Sequence, residues 1–243
     1  RGMAAEAGSA SADAKGAHKL IYFKGRGRAA AVRWALSAAG IPFYNHGMEG
    51  PEEFEALKAD GKLDFGQVPA LELDDGRHLI QTYAIVSYAA AVGGLDGGAD
   101  PVARYRVTSI IEGVRDWAGF GVGYAWWKGD PEDRDKMVAD KHARFLPYFD
   151  TLARRNVSDE AGAEGCFVGG DVTMADVIFA EGVEQYVDSV GNAEWLAPFP
   201  ALAAVHRRVL ALPRVSAFLA DDKLRWPVQD AAYMANVDHV LGR

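Results

Sequence analysis

The stretch Leu63-Asp-Phe-Gly-Gln-Val-Pro-Ala-Leu-Glu-Leu-Asp-Asp-Gly-Arg-His-Leu-Ile-Gln-Thr-Tyr-Ala-Ile85 constrains the fold more than any other. Pro69 has no backbone N–H and biases Val68 towards an extended conformation, and a cis bond is permitted at this joint. A proline heading a strand marks an edge or a turn, which leaves the Val68 amide and carbonyl free to pair with another molecule. Ala70 to Leu73 alternates, Asp75-Gly76 signals a hairpin turn, and Arg77 to Ile80 returns. Gln81 and Thr82 fall where a helix begins, with Thr82 in the N-cap role. A helix N-terminus attracts anions through its free N–H groups and its dipole. An extended backbone edge beside a carboxylate-sized anion site suits a small peptide.

The rest of the composition narrows the class. A chain of 243 residues accommodates two modest domains or one large one. Its net charge of −8 argues against nucleic acid as a partner, because phosphate binding needs clustered positive charge. No apolar run approaches the roughly 18 residues of a membrane span, so no membrane insertion is expected. The one cysteine, Cys166, rules out internal disulfides and a CxxC pair, which fits a reducing, cytoplasmic compartment.

In chain order, residues 1–17 are small and polar and read as a disordered leader. Lys19 to Phe23 reads as a strand, Ala29 to Ala39 as a helix ended by Gly40, and Ile41 to Met48 as a second strand. Pro51 opens a helix through Ala59. With the hairpin and a helix from Thr82 to Val92, residues 18–92 make one compact α/β unit. Residues 93–101 are dense in glycine and read as a linker. Residues 102–226 look all-helical: Val102 to Trp127 as one long run, Glu132 to Arg154 as another, broken or kinked near Pro147, and Val177 to Val190 behind a Thr173–Asp176 capping pattern. Glycines 113, 119, 121 and 123 on the first of these are expected to leave room for close neighbours. Residues 227–243 form a tail in which Tyr233, Val237 and Val240 share helical spacing; that spacing suits a lid and a surface-packed helix equally.

Gly25-Arg-Gly-Arg-Ala-Ala30 satisfies G-x-G-x-x-A, yet the antiparallel hairpin that follows does not suit a doubly wound dinucleotide domain, and a tight turn explains the glycines more simply. The six histidines show no metal-ligand spacing, so no metal is expected. Tyr22, at the end of the first strand, commonly means a ring in the core with its hydroxyl at the rim. The less common reading is a phenol that donates a hydrogen bond to an anion beside Lys24, Arg26 and Arg28.

Tyr22-Phe-Lys-Gly-Arg-Gly-Arg28, Phe65-Gly-Gln-Val-Pro-Ala-Leu71, Gln81-Thr-Tyr-Ala-Ile85 and Gly170-Asp-Val-Thr-Met-Ala-Asp176 stand in an order that resembles the cytosolic glutathione transferases, closest to the tyrosine-type alpha and sigma classes. The resemblance spans about residues 18–226. It implies a thioredoxin-like N-terminal domain followed by an all-helical C-terminal domain. It implies an enzyme that binds glutathione as co-substrate and conjugates its thiolate to apolar electrophiles. A glutathione-dependent isomerase of the prostaglandin D synthase kind, a peroxidase, or a non-catalytic binding or structural relative are the alternatives. Residue by residue, the resemblance gives Tyr22 a hydrogen bond to the glutathione sulfur and gives Arg28 a positive field there. Val68, set by Pro69, would pair with the cysteinyl part. Gln81 and Thr82 would hold the γ-glutamyl carboxylate with Gln67 beside them, and Lys58 would meet the glycyl carboxylate. Asp116 would reach the glutamyl amine held by the partner subunit of a homodimer, into which Phe65 would plug. Phe23, Phe120, Tyr124 and Trp127 are the expected wall of the second-substrate pocket. Lys24 departs from the usual neutral residue, and the tail beyond Trp226 matches no pattern.

Overall fold

In a computed structural model, residues 16–123, 126–159 and 164–243 are described. The expected leader therefore lies almost wholly outside the described residues. The chain divides into two compact units. One holds the described residues up to Ala89 together with Leu212–Arg243, and the other holds Ala90–Ala211.

The first unit is built on a four-stranded sheet in the order β2-β1-β3-β4. Strands β1 (His18–Tyr22) and β2 (Phe43–Gly47) run parallel, joined by helix α1 (Ala29–Ala39), as a right-sized crossover requires. Strands β3 (Ala70–Glu72) and β4 (His78–Ile80) are the expected hairpin, with β3 antiparallel to β1. Leu20, Ile21 and Leu71 are fully buried at the sheet centre. Gly40 ends α1 at φ +71, a left-handed C-cap that L side chains seldom adopt. Helix α2 (Pro51–Ala59) starts on its proline, and α3 (Thr82–Gly93) follows the hairpin. Thr82 is the first helical residue, and the cap position belongs to Gln81, whose carbonyl accepts from the Ile85 N–H at 3.0 Å.

Three C-terminal helices complete this unit: α8 (Pro213–Leu219), α9 (Asp222–Arg225) and α10 (Ala231–Val240). Phe218 of α8 meets Trp34 of α1 edge to face at 5.9 Å. Asn45 of β2 donates from Nδ2 to the Lys223 and Leu224 carbonyls, both at 2.9 Å. Tyr233, Val237 and Val240, the spacing seen in the tail, are buried.

The second unit is helical: α4 (Pro101–Gly123), α5 (Pro131–Asp159), α6 (Met174–Val190), a 3₁₀ turn at Glu194–Leu196 and α7 (Pro200–Leu210). Helix α4 ends before Trp126 and Trp127, which lie beyond it rather than on it. Helix α5 runs on through Pro147. Asp176 is fully buried and accepts from the Phe167 and Thr173 amides, each at 2.7 Å, and from Thr173 Oγ1 at 2.8 Å. The capping pattern thus fixes both the start of α6 and the loop before it. Gly113 meets the Phe149 ring, but Gly119 and Gly123 face open space, so those glycines do not mark close packing. The close approach is at Gly182 of α6, where a Cβ would stand 3.0 Å from Trp117 and Ala118 of α4.

Trp117 is completely buried in an aromatic cluster with Phe149, Phe179, Tyr186, His142 and Trp195. The Tyr186 hydroxyl donates to the Trp117 carbonyl at 2.8 Å. His142 lies 4.2 Å from the Trp195 ring centre and 4.6 Å from that of Tyr186. Burial among these rings pulls its imidazole down from 6.5 to about 4. The folded state therefore resists a proton that the unfolded chain accepts. The contribution of His142 to stability should therefore be flat above pH 6.5 and fall between pH 6.5 and 4, by about 1–3 kcal/mol. Urea midpoints across that range should show the slope, and His142→Phe should reduce it.

Candidate active site

The loop after β1 sets the site. Tyr22 is buried at 4% exposure, and its hydroxyl oxygen accepts from the Arg28 backbone N–H at 3.0 Å. Gly27 makes this possible: at φ +39 its Cα sits so close that a Cβ would lie 2.5 Å from the Tyr22 oxygen. The Arg28 carbonyl in turn receives the Thr82 hydroxyl at 3.5 Å. One residue's main chain thus links Tyr22 to the start of α3.

Around that start lies an open polar patch. Gln81 is held at φ +71, a conformation non-glycine residues seldom adopt and one that usually accompanies a functional constraint. Its Nε2 donates to Gln67 Oε1 at 3.1 Å. Val68 precedes the cis peptide to Pro69, just ahead of the first ladder pair at Ala70. Gln67 and Gln81 are exposed, and Val68 and Thr82 are half-buried. Lys58 of α2 lies by this patch, its Cδ 3.5 Å from where a Gly66 Cβ would be. Its ammonium pairs with Glu55 at 2.5 Å and lies 4.7 Å from the Phe54 ring centre. An exposed pair of this kind is weak and exchangeable.

Tyr22, Arg28, Gln67, Val68, Pro69, Gln81, Thr82 and Lys58 therefore belong to one unit. Arg28 reaches Tyr22 through its main chain, while its side chain is exposed. Phe23 is buried with its ring 5.0 Å from that of Tyr22. Asp116 is exposed on α4 in the other unit, its carbonyl accepting from Lys141 Nζ at 2.6 Å. The Phe120 side chain and Tyr124 lie outside the described residues. The Trp127 indole N–H donates to the Asp130 carbonyl at 2.9 Å, packing the ring on its own turn.

Sequence reasoning missed the residues that support Tyr22 from behind and cover it. Arg33 of α1 is fully buried, donating from Nη1 to the Gly25 and Arg26 carbonyls at 3.0 and 3.2 Å and from Nε to Asn45 Oδ1 at 2.7 Å. Its guanidinium stands 4.8 Å from the Trp226 ring centre. Burial lowers it to about 9, partly opposed by the nearby Tyr22 phenol, so it remains charged at neutral pH. The tail places Tyr233 Oη 3.4 Å from Tyr22 Oη. Arg33 is the one charged residue in the otherwise apolar run Ala29–Leu36, and an arginine there is the available signal.

The chain matches known proteins over most of its length. Residues 18–91 match the glutathione S-transferase N-terminal domain, and residues 120–222 match a glutathione S-transferase C-terminal domain. The chain is 34% identical over 225 residues to glutathione S-transferase alpha-4 of Rattus norvegicus, covering 92% of this chain and 97% of that one. It is 35% identical over 214 residues to glutathione S-transferase A2 of Mus musculus, covering 87% and 92%. The solved glutathione S-transferase of Ascaris lumbricoides superposes with a TM-score of 0.68 at 28% identity, covering 84% of this chain and 96% of that one. The architecture is that of a thioredoxin-like domain followed by a helical domain. The chain belongs to the glutathione S-transferase family.

Replacing Arg33 by Met should lower stability by roughly 2–4 kcal/mol, because two loop carbonyls and Asn45 lose their buried donor. Urea denaturation checks this. Arg33→Lys should recover only part of the loss, since an ammonium lacks the planar fork.

Proposed function

We infer that this chain conjugates the thiolate of glutathione to electrophilic, apolar small molecules. The carrying observation is Tyr22: a buried hydroxyl fixed by the Arg28 amide and joined through Arg28 and Thr82 to an open, polar peptide-sized patch. In this reading the Val68 backbone pairs with the cysteinyl part of glutathione. Gln67, Gln81 and Thr82 take the γ-glutamyl carboxylate at the start of α3, where free N–H groups favour an anion. Lys58 exchanges its exposed partner Glu55 for the glycyl carboxylate. The thiol then lies at Tyr22, whose O–H stabilises the thiolate as a charge-assisted donor.

Arg33 adds a positive charge beside Tyr22, held by neutral acceptors rather than by a carboxylate. A cation of that kind raises the potential where the thiolate forms. The bond made is carbon–sulfur, and the electron pair leaves with the electrophile's leaving group or, in addition to a conjugated double bond, moves from the attacked β-carbon to the α-carbon and its carbonyl oxygen. Homology to transferases along nearly the whole chain supports this reaction over isomerisation or a non-catalytic role. A homodimer fits Phe65, an aromatic left 69% exposed, and Asp116, an exposed acid. A cytoplasmic setting fits the buried, unpaired Cys166.

Tyr22→Phe should cut turnover with an activated aryl halide about a hundredfold, while glutathione affinity by calorimetry changes only a few-fold. Turnover equal to that of the native chain would remove Tyr22 from the chemistry. The homodimer requires twice the chain mass in solution at micromolar concentration.

A further inference from the structure

Two buried hydroxyls meet at one point of the first unit, and the reading above uses only that of Tyr22. Tyr22 and Tyr233, the latter on α10, are each 4% exposed. A Cβ added at Gly27 would lie 2.5 Å from the Tyr22 oxygen and 2.4 Å from the Tyr233 oxygen, so both phenols converge over one glycine. Gly27 therefore makes room for a pair, and a larger residue there would displace both. The Tyr233 ring lies over Gly25 of the same loop, where a Cβ would come within 2.3 Å of its edge.

The two hydroxyls do not satisfy each other. Their oxygens are 3.4 Å apart, whereas an ordinary O–H···O bond spans about 2.7–2.8 Å. The Arg28 amide, 3.0 Å from Tyr22 Oη, is a donor and cannot take the Tyr22 proton. Among the described residues Tyr233 Oη is the one acceptor near that proton, at a distance that binds it weakly. Tyr233 is fixed in place by its own helix. Its amide donates to Asp230 Oδ1 at 2.8 Å, and Val237 and Val240 on the same face are buried. Asn236 ties that helix to the Lys24 amide at 2.8 Å and to the Met48 carbonyl at 3.1 Å. Burial, then the neighbouring Tyr22, pushes the Tyr233 phenol above its ordinary range, so it keeps its proton at any working pH. Two O–H groups set side by side, too far apart to pair well, suit one shared acceptor larger than oxygen.

We propose that Tyr233 is a second catalytic residue, donating a hydrogen bond to the glutathione sulfur alongside Tyr22. The proposal rests on the glutathione reading and deepens it: two neutral phenols, rather than one, hold the thiolate. A sulfur anion is large and has several lone pairs, and a charge-assisted donor favours it over the thiol. Both donors are buried, so water competes little for either bond. No proton passes to Tyr233. The thiol proton leaves for solvent as the thiolate forms, and both phenols stay neutral.

The test is the pH dependence of turnover by the full-length protein with an activated aryl halide and saturating glutathione. Under those conditions kcat/KM for the halide reports ionisation of the bound thiol. Tyr233→Phe keeps the ring over Gly25 and removes only the hydroxyl. The midpoint of the profile should rise by about one pH unit, which is a loss of about tenfold below the midpoint that closes above it. Ultraviolet absorbance of the bound thiolate should titrate with the same displacement. Affinity for S-methylglutathione, whose sulfur cannot ionise, should barely change. An unmoved midpoint overturns the proposal, and a lowered one overturns it by making the hydroxyl a rival of the sulfur. A loss equal at every pH, or a parallel loss of S-methylglutathione binding, also overturns it, because the hydroxyl would then serve packing alone. If calorimetry finds no glutathione binding by the native chain, the functional reading falls and the role of Tyr233 with it. A native chain that binds and ionises glutathione, with the variant indistinguishable from it, removes Tyr233 alone.

Discussion

The first unit is organised around one buried cation. Arg33 has no solvent to stabilise its charge, and burying a guanidinium without compensation is strongly unfavourable. Its compensation comes from three separate stretches of chain. The Gly25 and Arg26 carbonyls are the loop after β1, Asn45 is the edge strand β2, and the Trp226 ring is the start of the tail. These contacts to one side chain therefore fix the loop that carries Arg28 and, through the Arg28 amide, the orientation of Tyr22. Asn45 extends the network, because its amide nitrogen binds α9 while its oxygen receives Arg33. Hydrogen bonds with charged partners are the stronger kind, and a planar fork can serve several acceptors at once.

The local rules of the chain were legible where a single residue type has one physical use. Pro69 ahead of a strand, Asp75-Gly76 at a hairpin, Gly40 after a helix and Thr173–Asp176 before one each have a backbone consequence that does not depend on distant partners. The chain forms all four as read. Reading failed where the outcome depends on packing. Glycine spacing on α4 suggested close neighbours at Gly119 and Gly123, but the close approach is at Gly182 on α6, facing Trp117. Pro147 suggested a break or a kink, and α5 runs through it without a break. Arg33 and Asn45 carry no motif; only the positions of their partners, nearly two hundred residues away in the chain for α9, give them meaning.

The binding patch and the chemistry place opposite demands on burial. In the proposed reading Gln67 and Gln81 meet a charged, well-solvated peptide, and they are exposed. In the same reading Tyr22 favours a thiolate over a thiol, and a hydrogen bond does that best where water does not compete. The fold separates the two by only the length of the Arg28 backbone. Gln81 at positive φ and Gly27 at φ +39 are the two backbone positions that make so short a separation possible. Both are local distortions of the kind that a surrounding structure must impose.

Dryness at Tyr22 raises a further problem, because a hydroxyl sealed by the fixed core could not be reached by a substrate. The sheet and α1 cannot yield, since Leu20, Ile21 and Leu36 are fully buried there and any opening would expose them. The loop 25–28 cannot yield without stranding the Arg33 charge. The tail is attached through hydrogen bonds at Asn236 and Arg26 and through three buried side chains of α10. Tyr233 therefore covers Tyr22 from one side, and Arg33 fixes the loop that orients its hydroxyl from the other.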